Sequence, residues 1–367
     1  MSGNKDIAGH PDSDAMQVPG LAARAVDRLG GILQRHVRAR IDQLRFDRSL
    51  RHLSGPVDPQ GMADDVTVVA LVRDGAYYLD VFLDHYRSLG VRHFVFCDTG
   101  STDQTLSRLA AEPDASVLQS TLPWGRFENL FRGHAATRFS RGRWCLFADM
   151  DEILDFDGRS ERGLRGLTGY LERYGYTAMM AQMLEMFPRC ALRDTADLSY
   201  AEAQDEFCHY DLTAVRSFAY RDRATGLSDL LHLNTVPDTA APRFQFGGIR
   251  ASAFGENCCL SKHPLVKVVP GVAPAVHPHL STGVKVADAM AVLKHYKFAN
   301  DPIGRDQASL ASKSIGHGED ALRLAGFDAR PDLSLWSEHA EVYDGPAALR
   351  AAGFLQVSAR FVEEMSN

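Results

Sequence analysis

Between residues 66 and 148 short apolar runs alternate with amphipathic stretches, and this alternation limits the possible folds more than any other feature of the chain. Val66 to Val72 is a compact β-rich run. Tyr77 to Leu89 reads as a helix with Leu79, Phe82, Leu83 and Tyr86 on one face, ended by Gly90. Val91 to Cys97 is a second strand, Thr105 to Ala111 a helix and Val117 to Leu118 a short third strand. Residues 127–140 form another helix, and Trp144 to Ala148 the next strand. Strands alternating with helices specify an α/β fold with a parallel sheet and right-handed crossovers. Such a sheet brings the carboxyl ends of its strands to one edge, where open α/β sheets bind ligands.

Three acidic segments fall at those ends: Arg73-Asp74-Gly75, Asp98 through Asp103, and Asp149-Met150-Asp151 followed by Glu152. Each alone has a plain structural reading; Asp98 to Asp103 is a good Asx-turn leading into a capped helix. Three on one edge are a stronger signal. Alternate residues of an extended segment face the same way, so Asp149 and Asp151 can reach toward one point. Their mutual repulsion is relieved by a hard divalent cation, with phosphate oxygens on its far side.

Composition narrows the classes. Of the 367 residues, 45% are hydrophobic and 24% charged, as in an ordinary soluble enzyme, and a net charge of -7 argues against bulk nucleic-acid binding. There is no apolar run of membrane-spanning length and no signal-peptide core, so a cytoplasmic location is expected. Cys97 and Cys145 lie inside apolar runs and read as reduced, buried thiols. Residues 1–18 are polar and read as disordered. Residues 20–53 read as a helix in which Val26, Leu29, Leu33, Val37, Ile41 and Leu44 recur at three- and four-residue steps among many arginines. Docking on the main domain and peripheral contact with an anionic membrane are its two readings. Asp27, Asp42 and Asp47 interrupt the basic face and favour docking.

The segments Val-Ala-Leu-Val-Arg-Asp-Gly (69–75), Phe-Cys-Asp-Thr-Gly-Ser-Thr-Asp (96–103) and Phe-Ala-Asp-Met-Asp-Glu (147–152), in that order, resemble glycosyltransferase family 2 and its relatives, in particular a bacterial branch with Asp-x-Asp-Glu after an apolar strand. A weaker resemblance continues through Gly247-Gly248-Ile249-Arg250, Leu260 to Leu265, and Leu293 to Phe298. It implies the GT-A type nucleotide-diphospho-sugar transferase fold, with a mostly parallel central sheet and flanking helices. The expected organisation is an N-terminal tail and helix over 1–62, a transferase domain over 63–300 and a helical extension over 301–367. The transferase domain divides into a nucleotide-binding half, 63–155, and an acceptor-binding half, 156–300. The family usually has Asn-Glu where this chain has Asp74-Gly75.

The implied reaction moves a sugar from a nucleoside diphosphate sugar to a hydroxyl of a carbohydrate or glycoconjugate acceptor, with inversion, for polysaccharide synthesis. Carried over, Asp98 resembles the carboxylate that accepts from the donor base, with Asp74 facing base or ribose. Asp149 resembles the acid near ribose and metal, and Asp151 the main ligand of Mn2+ or Mg2+. A bound cation neutralises the departing diphosphate; Lys297 is the candidate to add to it. Among His263, His277, His279 and His295, the last fits the resemblance best as a further metal ligand. The base that takes the acceptor proton is an Asp or Glu; Glu256 is one candidate, Asp205 and Glu206 are others. Trp124, in a loop, is the candidate for sugar stacking, and Trp144 belongs to the core. Two rival readings stand: a haloacid-dehalogenase-like phosphotransferase with Asp149 as nucleophile, and an inactive sugar- or nucleotide-binding module of the same fold.

Overall fold

The computed structural model describes residues 21–58, 66–312 and 318–366, and their side chains except those of 21–33, 35 and 312. The expected disordered tail, 1–18, lies outside the described residues. The chain falls into two compact units, 1–47 and 48–367. Helix α1 (Leu21–Ser49) makes up the described part of the first; its Val37, Ile41 and Leu44 are about half exposed. The helix expected to run to residue 53 stops at Ser49, because Arg51–Ser54 is β1, paired antiparallel with a strand at 115–119.

The second unit continues β2 (Val66–Val72), α2 (Leu79–Ser88), β3 (His93–Asp98), α3 (Thr105–Leu109), β4 (Ala115–Gln119), α4 (Trp124–Phe139), β5 (Trp144–Phe147) and β6 (Glu152–Asp155). Then come α5 (Arg159–Arg173), β7 (Ala178–Glu185), α6 (Tyr200–Glu206), β8 (His209–Tyr210), β9 (Val215–Ala219), β10 (Arg243–Gly247) and α7 (Ile249–Phe254). It closes with β11 (Ser261–Lys267), β12 (Ala273–His277), β13 (Leu280–Thr282), β14 (Val286–His295), α8 (Pro302–Ser312), α9 (Glu319–Ala329) and short elements beyond.

Nine strands form the central sheet in the order β1-β4-β3-β2-β5-β11-β7-β14-β6. β2, β3, β4, β5, β7 and β14 share one direction, so the mostly parallel α/β sheet is present. β1, β11 and β6 run the other way. β2, β3 and β7 are buried along their whole length, as strands covered on both faces must be. Leu79, Phe82, Leu83 and Tyr86 of α2 bury the expected apolar stripe, with Phe82 6.4 and 6.1 Å from the rings of Phe94 and Phe96. β11 contains Pro264, which cannot donate to a ladder; its register with β7 shifts between Lys262 and Leu265, around that residue.

One edge of this sheet collects chemistry. The carboxyl ends of β2, β5, β7 and β14 deliver Arg73, Asp149 to Asp151, Glu185 and His295 to Lys297. The antiparallel β6 and β11 contribute their amino ends, Glu152 and Lys262, to the same edge. Among the described residues no helix is long and apolar enough to cross a membrane.

Candidate functional site

A cleft of about 970 Å³ opens along that edge, and Leu71, Arg73, Tyr78, Thr99, Trp124, Asp149, Asp151 and Glu152 are among the residues that line it. The lining also includes Arg250, Lys262, His277, His279, His295, Lys297, Arg305 and Glu319. Of the residues singled out in the sequence, Asp149, Asp151, His295, Lys297 and Trp124 come together here. Trp124 is the first residue of α4 rather than a loop residue, because Pro123 starts the helix one turn earlier than the periodicity indicated. His277 and His279 also line the cleft, whereas His263 is buried against Tyr220 and Ser281.

Asp149 and Asp151 have different surroundings. Both oxygens of Asp149 are taken: Arg132 Nη2 of α4 donates to Oδ1 at 2.6 Å and Lys262 Nζ to Oδ2 at 2.8 Å. Lys262 also bonds Glu152, whose other oxygen accepts from the Asp149 amide at 3.2 Å. Burial alone would raise the Asp149 carboxyl, but Arg132 and Lys262 overcome it and hold it far below the usual carboxylate range. Both oxygens of Asp149 thus already face cations of the protein, whereas Asp151 keeps one side open to the cleft. Nothing in these contacts singles out Asp149 as a nucleophile toward phosphorus.

Asp151 faces His295, with Oδ2 3.4 Å from Nε2. The other ring nitrogen, Nδ1, lies 3.0 Å from Glu185 Oε1. Burial opposes charge on His295, yet Glu185 and Asp151 together push its pKa up to about 9. Burial likewise opposes charge on Asp151, which His295, Lys297 and Arg305 nevertheless hold low. Burial depresses the Lys297 ammonium, and Arg323 and Arg305 add to the effect. Arg305 donates to Tyr78 Oη at 3.0 Å and to the carbonyls of Lys297 and Ala299, and forms no salt bridge among the described residues.

These residues fit a divalent cation at two positions. A 3.4 Å gap between Asp151 Oδ2 and His295 Nε2 approaches the spacing of adjacent ligands on an octahedral ion with bonds of about 2.1 Å. Glu185 behind the ring completes the carboxylate–histidine arrangement that orients metal-binding imidazoles. Glu185 Oε2 is buried with no hydrogen-bond partner. Among the described residues no three such side chains converge on one metal-sized point, so phosphate oxygens and water would fill the remaining positions, as is common for Mg2+.

The other expected residues are placed differently. Asp98 is fully buried; its carboxylate accepts from Gly100 N at 2.9 Å, Ser101 N at 3.1 Å and Gln119 Nε2 at 3.0 Å, so it builds the turn and does not line the cleft. Asp74, at φ 50°, accepts from Thr102 N at 2.6 Å and Asp103 N at 3.2 Å, stapling two strand-end loops together. Glu256 is buried between Arg250 Nη1 at 3.2 Å and Arg323 Nη1 at 3.0 Å and does not reach the cleft. That removes it as the base: its oxygens face two arginines rather than an acceptor. Asp205 and Glu206, on α6, lie outside the lining as well.

The sequence assigned no role to Arg132, Glu185, Arg250, Lys262, Arg305 and Glu319, although Arg250 and Lys262 lie in segments that carry the weaker resemblance. Some had a signal. Arg132 falls on the apolar face of α4 beside Phe127, Phe131 and Ala135, where an arginine needs a buried acid. Glu185 ends an apolar strand as Asp149 nearly does. Arg305 and Glu319 had none, since they reach the cleft from helices far along the chain.

No protein-family model and no curated protein matches the chain. Two solved structures of glucosyl-3-phosphoglycerate synthase from Mycobacterium tuberculosis are similar in part. One, with Mn2+, uridine diphosphate and glucosyl-3-phosphoglycerate, is 20% identical at a TM-score of 0.23 over 36% of this chain and 52% of that one. The other, with Mn2+, uridine diphosphate and phosphoglyceric acid, is 22% identical at a TM-score of 0.22 over 36% and 51%. The chain thus spans about half the length of each.

Proposed function

We propose that this protein is a glycosyltransferase of the GT-A type that moves a sugar, with inversion, from a nucleoside diphosphate donor to a hydroxyl acceptor. One observation carries the reading: at the strand-end cleft, Asp151 and His295 stand 3.4 Å apart, backed by Glu185 and flanked by the cations Lys297 and Arg305. Carboxylate, imidazole and ammonium groups in one cleft suit a diphosphate. Asp151 and His295 would hold a divalent cation, which when bound supplies Lewis-acid neutralisation of the leaving group. Lys297 and Arg305 place positive charge beside the same oxygens, in a partly dehydrated wall where it acts most strongly. Lys262 is committed to Asp149 and Glu152 and keeps the Asp-Met-Asp turn in shape. Trp124 offers a ring for the sugar or base.

Glu319 takes the role expected of Glu256. It lines the cleft from the first turn of α9 and has no hydrogen bond or salt bridge among the described residues. An acceptor hydroxyl approaching from that wall can pass its proton to Glu319 as the new bond forms. Glu319→Gln is expected to lower kcat by roughly 10²- to 10⁴-fold while leaving nucleotide binding unchanged.

Calorimetry with a panel of nucleoside diphosphates, with and without Mn2+, tests the reading. Binding of one of them that requires Mn2+ and disappears in Asp151→Ala is the expected result. Equal binding by Asp151→Ala, or the absence of binding by every nucleotide, sinks it.

A further inference from the structure

Behind His295 a line of buried charges leads away from the cleft. His295 Nδ1 lies 3.0 Å from Glu185 Oε1, and Arg250 Nε lies 2.8 Å from the same oxygen. Arg250 Nη1 donates to Glu256 Oε2 at 3.2 Å, and Glu256 Oε1 accepts from Arg323 Nη1 at 3.0 Å. Arg323 Nε and Nη2 then donate to Asp306 at 2.6 and 2.7 Å, and Nη2 also bonds Asp320. The line joins the ends of β7 and β14, helix α7 and the α8–α9 pair, and each member is buried.

Buried ion pairs are poor stabilisers, since packed apolar side chains of similar volume often serve as well or better. A row of them ending on an imidazole that faces Asp151 calls for another reason. Glu185 Oε1 is hydrogen-bonded to His295 and ion-paired, without an aligned hydrogen bond, to Arg250, so the buried charge of Arg250 draws Glu185 into place and Glu185 orients the ring. Glu256 holds Arg250 from the other side. Arg323, with three carboxylates around it, ties Glu256 to the helices that bring Arg305 and Glu319 to the cleft wall.

We propose that Glu185, Arg250, Glu256 and Arg323 are positioning residues that hold the His295 ring in the orientation with which it binds a divalent cation beside Asp151. This rests on the reading of Asp151 and His295 given above. Partners behind a metal-binding histidine commonly affect metal affinity by roughly 10- to 100-fold.

The test is titration of the whole protein with Mn2+ alone, read from the free-ion electron paramagnetic resonance signal. Wild type should bind Mn2+ and Asp151→Ala should not. Glu185→Gln should bind about 10- to 100-fold more weakly, and Glu256→Gln should weaken binding by less, because it acts through Arg250. In both glutamine variants excess Mn2+ should restore turnover, which a merely structural defect would not allow. If both bind Mn2+ as wild type does while Asp151→Ala does not, the positioning role is overturned and the metal reading stands. If wild type binds no Mn2+, both fall. Should Glu256→Gln fail to fold, Arg323→Lys keeps the charge but loses the fork that joins Asp306 to Glu256, and it carries the same expectation.

Discussion

One residue, Met150, separates Asp149 from Asp151, and the two carboxylates differ in what touches them. Asp149 sits between Arg132 and Lys262, both nearly buried; Asp151 has a histidine on one side and the open cleft on the other. Asp149→Asn should therefore destabilise the fold by about 2 kcal/mol, less than the roughly 3–5 kcal/mol of a fully buried pair, since its side chain stays 32% exposed. Urea unfolding measures this. A second residue-scale expectation concerns His93 and His263, buried and neutral, whose pKa values burial lowers to about 4. The native state disfavours their protonation while the unfolded chain takes up protons near pH 6.5. Their stability contribution is thus whole above pH 6.5 and drains away between there and about pH 4, at up to about 1.4 kcal/mol per pH unit each. Thermal midpoints across this range should fall, and His263→Gln should flatten the fall. At this scale the sequence was partly legible. The letters of an acidic strand end are the same whether the carboxylate closes a turn, as Asp98 does, or faces a ligand, as Asp151 does. Only the third dimension separates the two.

Elements were more legible than residues, within a limit. Apolar runs marked β2, β3, β5 and β7 because both faces of those strands are covered. Periodicity carries no information on direction, so nothing marked β11 and β6 as the strands that run against the rest. β6 follows Asp151 immediately, and its short Ile-Leu run resembles the tail of β5. The Gly247-Gly248 pair was seen, and its backbone explains it: φ is +95° and +69°, and a Cβ on Gly247 would lie 2.7 Å from the Ala214 carbonyl oxygen. This turn launches α7 and so aims Arg250. Gly247→Ala should cost about 1–3 kcal/mol through strain and weaken Mn2+ binding along with it. Differential scanning calorimetry and the Mn2+ titration would show both. Arg323→Ala should leave three buried carboxylates without their cation. Faster amide hydrogen exchange confined to 302–329, against unchanged exchange in β7, is the expected signature.

Across the whole molecule, charge is distributed against its sum. The chain carries a net -7, yet in the cleft Arg73, Arg250, Lys262, Lys297 and Arg305 outnumber Asp149, Asp151, Glu152 and Glu319. A diphosphate is drawn to that cleft from a repelling exterior, so raising the salt concentration should slow its association more than its departure; stopped-flow binding at several ionic strengths would show it. The sheet has a further consequence, for the order of events on the ribosome. β11 is wedged between β5 and β7, and Leu265 meets Leu146 on one side and Met179 on the other. Until residues past 267 have emerged, the two strands that flank this place have nothing between them, and each presents a bare row of peptide groups to other nascent chains. The molecule cannot be completed in the order in which it is translated; its middle is finished by a late arrival.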